Sequence, residues 1–266
     1  MNKKIKLNLN KKFPDNCSHW GIYWLFKDKY NEKWNPKLID DAIRLKKGEP
    51  IDYIIGWKPF LNCKINLSKK PLIPRVETEF WVEKAILEMK KQKGIISIAD
   101  VFSGSGCVGI AILKNIKKSK VVFTEIDKAL LMQIKINLKL NNIKHSTYTV
   151  VHSDIFKNLK GTYDFILANA PYIPLSRKTK LHRSVIKFEP AIALFAGEDG
   201  LKIIKNFLKT ASKYLKPNGQ IWMEFDITQK NKLNKLLKKY GYINYKFYKD
   251  QYKKWRYVVI KNSPSK

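Results

Sequence analysis

The sequence predicts an α/β protein: a mostly parallel sheet of seven strands, covered by helices on both faces, ending in a C-terminal antiparallel hairpin and preceded by a small helical domain. Three observations predict it. Beyond Thr78, short apolar runs alternate with amphipathic stretches, as strands buried on both faces and their crossover helices do. The last two runs, Tyr242–Tyr248 and Trp255–Lys261, are separated by six residues, too few for a crossover helix, so they pair antiparallel. Ahead of the alternation, Trp20 to Lys47 repeats its apolar residues at helical spacing.

Taken in order, Met1 to Lys12 is basic, has no apolar segment behind it and lacks the Arg and Ser of a transit peptide, so retention in the cytoplasm is expected. Ile22, Leu25 and Phe26, then Leu38, Ile39, Ala42, Ile43 and Leu45, mark two or so helices, broken at Asn35-Pro36 and closed by Gly48. Tyr53 to Leu67 has short apolar segments around Gly56 and Pro59 and reads as an extended connector or hairpin leading to Pro71–Pro74. Residues 1–70 thus form a small helical domain with its connector, and residues 71–266 the domain that holds the sheet. Its first five strands are expected near Ile95–Val101, Lys120–Glu125, Tyr148–His152, Tyr163–Ala168 and Gln220–Phe225, with helices between most of them. A tail is expected at Asn262–Lys266. In a sheet of this kind ligands bind beyond the carboxyl ends of the strands.

Composition narrows the classes. Hydrophobic residues make up 44% of the chain and the mean hydropathy is -0.36, a globular balance. No apolar run reaches the ~18 residues of a membrane span, so no membrane is expected, and neither is an oligomer. Cys17, Cys63 and Cys107 form no CxxC pair and are odd in number, which implies reduced thiols and no zinc site. His19, His145, His152 and His182 lack metal-ligand spacing, and no metal is expected. The net charge of +31 invites a polyanion. The excess is nearly all Lys spread beside Asn and Ile along the chain, so a solvated lysine surface and weak nonspecific polyanion binding both stay open.

The first predicted sheet strand runs into Asp100-Val101-Phe102-Ser103-Gly104-Ser105-Gly106-Cys107-Val108-Gly109, and a helix opens behind it. Glycine there lets backbone approach a ligand and turn without a Cβ clash. Gly104, Gly106 and Gly109 spell GxGxxG, and Glu125 ends the next strand about 20 residues on, where an acid binds ribose hydroxyls. These features fit a dinucleotide or S-adenosylmethionine equally. After the third strand, Ser153-Asp154-Ile155-Phe156 offers a carboxylate to an adenine amino group and an apolar side chain to its face, or forms a plain loop.

The fourth strand decides between them. It ends in Asn169-Ala170-Pro171-Tyr172. The Asn169 side-chain oxygen can accept one N–H of a planar NH2, the Ala170 main-chain carbonyl the other, and Tyr172 can pack on the plane. Pro171 biases Ala170 toward extended backbone, which helps aim that carbonyl. An amide nitrogen is a poor nucleophile, so a site for it must work by orientation and electrostatics. Oxidoreductases have no use for this arrangement, whereas transfer of a methyl group from S-adenosyl-L-methionine to nitrogen does.

At these residues the chain resembles the HemK/PrmC protein-(glutamine N5) methyltransferases, which modify the glutamine of the Gly-Gly-Gln motif in peptide-chain release factors. The likeness runs from Gly48 onward: Gly48-Glu49-Pro50-Ile51-Asp52-Tyr53-Ile54-Ile55-Gly56, then Leu72-Ile73-Pro74-Arg75-Val76-Glu77-Thr78-Glu79, the glycine loop and the Asn169 motif. It continues through Glu189-Pro190-Ala191-Ile192-Ala193-Leu194, Gly197-Glu198-Asp199-Gly200-Leu201, Asn218-Gly219 and Glu224. The resemblance implies the Rossmann-like methyltransferase fold. It puts Asp100, Phe102, Ser103, Gly104, Ser105, Gly106, Glu125, Asp154, Ile155 and Asn169 at the cofactor, Asn169, Ala170, Pro171 and Tyr172 at the glutamine, and a release factor on the helical N-terminus. That region is usually longer in the family, which implies a reduced docking surface.

Two positions depart from the pattern. Ala170 stands where a proline is usual, which keeps the carbonyl acceptor and gives up some rigidity. Phe102 stands where Gly or Cys is common, so its ring must point away from the methionine part of the cofactor. The competing readings are a nucleic-acid amino methyltransferase, which would have to receive an extruded base at Asn169, and a non-enzymatic binding module of the same fold.

Overall fold

The computed structural model describes residues 19–262. The basic start Met1–Lys12, Cys17 and residues 263–266 of the expected tail lie outside them.

Helix α1 (His19–Trp24) runs into a π-helical turn, Leu25–Lys29, and is followed by α2 (Lys37–Lys46) and α3 (Ile51–Ile55). Leu25, Leu38 and Ile54 form a small core of their own. Around it, Asp41 accepts from Lys29 Nζ and Tyr30 Oη, both at 2.6 Å, and from Arg44, whose other nitrogens reach Glu49. These donors hold the Asp41 carboxyl below its usual range although burial opposes them. Helix α3 lies where the sequence suggested an extended connector. At five residues it is too short to show periodicity, and its signals are Pro50 before it and left-handed Gly56 (φ 91°) after it.

The connector also holds the expected hairpin, β1 (Trp57–Phe60) with β2 (Cys63–Asn66). Phe60, Cys63, Ile65 and Leu67 are buried in the larger of the two cores that flank the main sheet. Helix α4 (Val76–Met89) follows. The sheet then runs β3 (Ile96–Val101), α5 (Cys107–Asn115), β4 (Ser119–Glu125), α6 (Lys128–Leu140), β5 (Tyr148–His152) and β6 (Tyr163–Ala168). A 3₁₀ turn, α7 (Arg183–Phe188), α8 (Ala191–Leu194) and α9 (Lys202–Ala211) lead to β7 (Leu215–Glu224), α10 (Lys230–Lys239), β8 (Tyr245–Lys249) and β9 (Trp255–Lys261). The spatial order is β5-β4-β3-β6-β7-β9-β8. The first five pair in parallel, and β9 is antiparallel to both β7 and β8.

Each expected strand is present, and only the starts of β7 and β8 move by more than one residue. Strand β7 starts at Leu215 because Leu215 pairs with Tyr163 ahead of a register shift. Strand β8 starts at Tyr245 because Tyr242 is tucked into the core, its hydroxyl donating to Leu208 O at 2.8 Å. Asn262, placed in the expected tail, is tied by its amides to Gly219, Leu215 and Lys216. No helix among the described residues is long and apolar enough to cross a membrane.

The free edge of β2 is paired by side chains instead of a strand. Asn141 accepts from Lys64 N at 3.0 Å and donates to Lys64 O at 2.9 Å. Asn137 does the same with Asn66 N and O, and Gln133 accepts from Lys69 N. Gln133 and Asn137 lie on α6 and Asn141 caps its end, so three amides at four-residue spacing present one face to the hairpin. The Asn137 amide also donates to Ser105 O at 2.9 Å, joining the hairpin to the glycine loop.

Helix α5 lies close on β4 because Gly109 has no side chain; a Cβ there would collide with the Phe123 ring and sit 2.9 Å from Val121 Cγ1. Helix propensity favours alanine by ~1 kcal/mol, while overpacking a full core costs about 1–3 kcal/mol. Gly109→Ala is therefore expected to lower the unfolding free energy in a urea titration, despite the better helix former.

Candidate functional site

Strands β3 and β6 are neighbours, with Val101 opposite Ala168. The chain leaves β3 toward β4 on one side and leaves β6 toward β7 on the other, so a crevice opens at the rim where they part. Phe102 and Asn169 are the first residues beyond that rim. A cleft of about 360 Å³ occupies the crevice, and a smaller hollow of about 150 Å³ adjoins it, sharing Leu72, Arg75, Asn169 and Ala193 with it.

The cleft takes in most of the residues expected at a cofactor: Asp100, Phe102, Ser103, Gly104 and Ser105 from the glycine loop, Glu125, Asp154, Ile155 and Asn169, together with Pro171. Gly106 is placed otherwise. It sits in left-handed backbone (φ 77°) at the N-cap of α5, where a Cβ would crowd Ile110 and Ile134, so it shapes the turn without lining the cleft. Ala170 and Tyr172 face the smaller hollow. Asn169 alone of its motif lies on the boundary of both spaces.

The loop is held from behind. Gly104 N–H donates to Glu125 Oε2 at 2.8 Å, and Ile126 and Asp127 N–H donate to Oε1 at 2.8 and 2.9 Å. Burial raises the Glu125 carboxyl in spite of these donors. Asp100 accepts Gly109 N–H at 2.9 Å and fastens the start of α5; burial, with the neighbouring Glu125 charge, pushes its carboxyl up to about 7. Phe102 (φ 63°) and Ile155 (φ 52°) hold left-handed backbone, which is uncommon for side chains of this size. The Phe102 ring packs on Phe207 of α9 at 6.0 Å between centroids, and the residue is among those that line the cleft. Thr124 Oγ1 is the one buried side-chain polar atom among the described residues without a partner, and Thr124 also lines the cleft.

Several residues that build the site could not be placed from sequence spacing. Glu224, buried at the end of β7, accepts from Thr78, Trp81 and Tyr172. Thr78 in turn receives the Asn169 amide at 3.1 Å. Gln229 Nε2 donates to Tyr172 O at 2.8 Å, and Gly200 allows that approach, since a Cβ there would meet Tyr172 O. Glu189 accepts from Arg75 at 2.6 Å and from Ile73 N–H at 3.1 Å, which ties the Leu72–Arg75 segment across the cleft's outer wall. An acid directly after the apolar run Ile221–Met223 was the available sequence signal for Glu224. Among the described residues no group of His, Cys, Asp or Glu is gathered to hold a metal ion.

The family model described as Methyltransferase small domain matches residues 83–191. A release factor glutamine methyltransferase of Borreliella burgdorferi is 34% identical over 230 residues, covering 86% of this chain and 79% of that protein. A bifunctional methyltransferase of Rickettsia prowazekii is 35% identical over 215 residues, covering 73% of this chain; the matched part spans 41% of that longer relative. Among solved structures, the METTL16 catalytic domain in complex with a MAT2A 3′UTR hairpin superposes with a TM-score of 0.60 at 16% identity, covering 87% of this chain and 83% of that one, and shows the shared fold.

The raised Asp100 carboxyl carries a pH signature. Between its ordinary value of 3.8 and about 7 the folded protein keeps a proton that the unfolded chain has lost, so stability falls as pH rises through that window. Asp100→Asn retains an acceptor for Gly109 N–H and removes the titration. Its Tm relative to the unsubstituted protein is expected to improve steadily between about pH 4 and pH 7 and to level off above; parallel Tm profiles would contradict the assignment.

Proposed function

This chain belongs to the release factor glutamine methyltransferase family of S-adenosylmethionine-dependent enzymes, and on that premise we propose that it methylates N5 of the glutamine in the Gly-Gly-Gln motif of a peptide-chain release factor. The observation that carries this reading is the place of Asn169, on the shared wall of a cofactor-sized cleft and a smaller side-chain-sized hollow.

The residues present fit the cofactor. The glycine loop gives close backbone approach, Glu125 and Asp154 supply carboxylates, Ile155 an apolar face, and Thr124 a buried hydroxyl with an unused hydrogen bond. Bound there, the cofactor supplies an electrophilic methyl on a sulfonium. The protein then has to orient a glutamine amide in the hollow. Asn169 Oδ1 and the Ala170 carbonyl accept its two N–H bonds, Tyr172 lies along its plane, and the nitrogen lone pair is turned toward the cleft. With the methyl supplied by the cofactor, whose sulfur would keep the C–S electrons, that lone pair would form the new N–C bond and the extra proton would leave nitrogen for water. Acceptors fixed in advance stabilise the charge growing on nitrogen, by about 3 kcal/mol each if they match oxyanion-hole donors.

That reaction belongs in the cytoplasm, with a monomeric enzyme meeting a release factor through its N-terminal helices. The lysine-rich surface adds weak polyanion attraction near ribosomes. Methylation of a nucleic-acid base is the competing reading, and the names of the relatives at 30% identity or more do not favour it.

Labelled S-adenosylmethionine incubated with a release factor, its Gln-to-Ala variant and nucleic acid is expected to label the first alone; label on nucleic acid and none on protein overturns the substrate. Asn169→Ala is expected to lower kcat by about 100-fold or more with cofactor affinity changed far less, measured by turnover and calorimetric titration.

A further inference from the structure

The hydrogen bonds behind Asn169 have a direction. Trp81 Nε1 lies 2.7 Å from Glu224 Oε2, and an indole N–H can only donate. Thr78 Oγ1 lies 2.7 Å from the same oxygen. A threonine hydroxyl has one hydrogen and a carboxylate has none to give, so that hydrogen goes to Glu224. Thr78 then has only lone pairs left for Asn169, whose Nδ2 lies 3.1 Å away. An amide oxygen in that place would set lone pair against lone pair. The NH2 end of Asn169 is therefore turned inward, and its oxygen is the end left for the cleft.

We propose that Thr78 and Glu224 are positioning residues that set the polarity of the Asn169 amide, holding Oδ1 outward as the acceptor for the substrate NH2. The proposal rests on the glutamine reading, because the two ends of an asparagine amide are nearly equal in shape and opposite in hydrogen bonding. A flipped Asn169 would present donors to donors and could not bind an NH2 group. Packing cannot choose between the two orientations; only a chain of partners with a fixed direction can.

The rest of the surroundings fit that task. Glu224 is 1% exposed, a place a carboxylate occupies only when its oxygens are satisfied. Tyr172 Oη donates to its other oxygen at 3.0 Å. Burial pushes the Glu224 carboxyl up, while Thr78, Trp81, Tyr172 and the nearby Arg256 guanidinium oppose the rise. A proton taken up by Glu224 has Oε1, facing Tyr172, as its place, since Oε2 already accepts twice. The direction toward Asn169 is the same in either state.

The test uses Thr78→Val, which keeps the side chain's shape and removes the hydroxyl. It is expected to lower kcat on a release factor by about tenfold or more, with S-adenosylmethionine Kd within about threefold. Thr78→Ser should restore most of the loss. Glu224→Gln should also retain turnover within a few-fold, since its oxygen can face Trp81 and Thr78 while its NH2 faces Tyr172. A second measurement needs no substrate: the Asn169 side-chain NH2 resonances, identified by their absence in Asn169→Ala, should exchange slowly with water in the unsubstituted protein and rapidly in Thr78→Val. Full turnover by Thr78→Val, or unchanged exchange in it, overturns the proposal. An unsubstituted protein that labels no release factor defeats the substrate reading instead, and the exchange measurement still decides the orientation of Asn169.

Discussion

The pairing of β3 with β6 is the constraint from which the site follows. Val101 and Ala168 lie side by side in the sheet, and the segments after them are carried to opposite edges by the strand order β5-β4-β3-β6-β7. Two parallel strands whose continuations diverge leave a gap that neither connection can fill, and it opens at the carboxyl ends, where the strands deliver their next side chains. The glycine loop comes from one side of the gap and Asn169 from the other. A donor of one group and an acceptor of it can thus meet without a dedicated domain between them.

Three buried acids border that gap, and each is committed to a different neighbour. Glu125 gathers the N–H groups of Gly104, Ile126 and Asp127, so the loop is held by the residue that also faces the ligand space. Asp100 accepts from Gly109 and anchors the helix behind the loop. Glu224 collects Thr78, Trp81 and Tyr172 from α4 and from the turn after β6. Burying a carboxylate is costly unless donors replace its water. Here the donors belong to segments that have to be kept still, so the cost of burial is offset by bonds that also give the site its shape.

The strands and the glycine loop were legible because both depend on local pattern. Apolar runs such as Ile96–Val101 and Tyr163–Ala168 can be buried only as central strands, and Gly104, Gly106 and Gly109 mark a sharp turn into a helix. Asn169 was legible by its position after such a strand, and Glu125 by its distance from the loop. Helix α3 was not, because five residues complete little more than one turn. The partition of the Asn169 motif was also hidden: nothing in the order of Asn169, Ala170, Pro171 and Tyr172 says that only the first borders both the cleft and the hollow. Thr78 and Glu224 were visible as letters of a family pattern, but their bond spans 146 residues of sequence. Without the fold there is no physical ground for joining a helix's first turn to the last residue of a distant strand.

The amides of α6 against β2 rest on a near coincidence of two repeats. Four residues of helix advance about 6.0 Å, and two residues of strand about 6.6 Å, so Asn137 and Asn141 can meet alternate backbone positions, Asn66 and Lys64, with little cumulative error. A helix can in this way act as a ruler for a strand. Sliding the hairpin by one residue would set Asn137 and Asn141 against residues whose N–H and C=O point inward to β1, so its register, and with it the tether from Asn137 to the Ser105 carbonyl, is fixed by a commensurability between helix and strand.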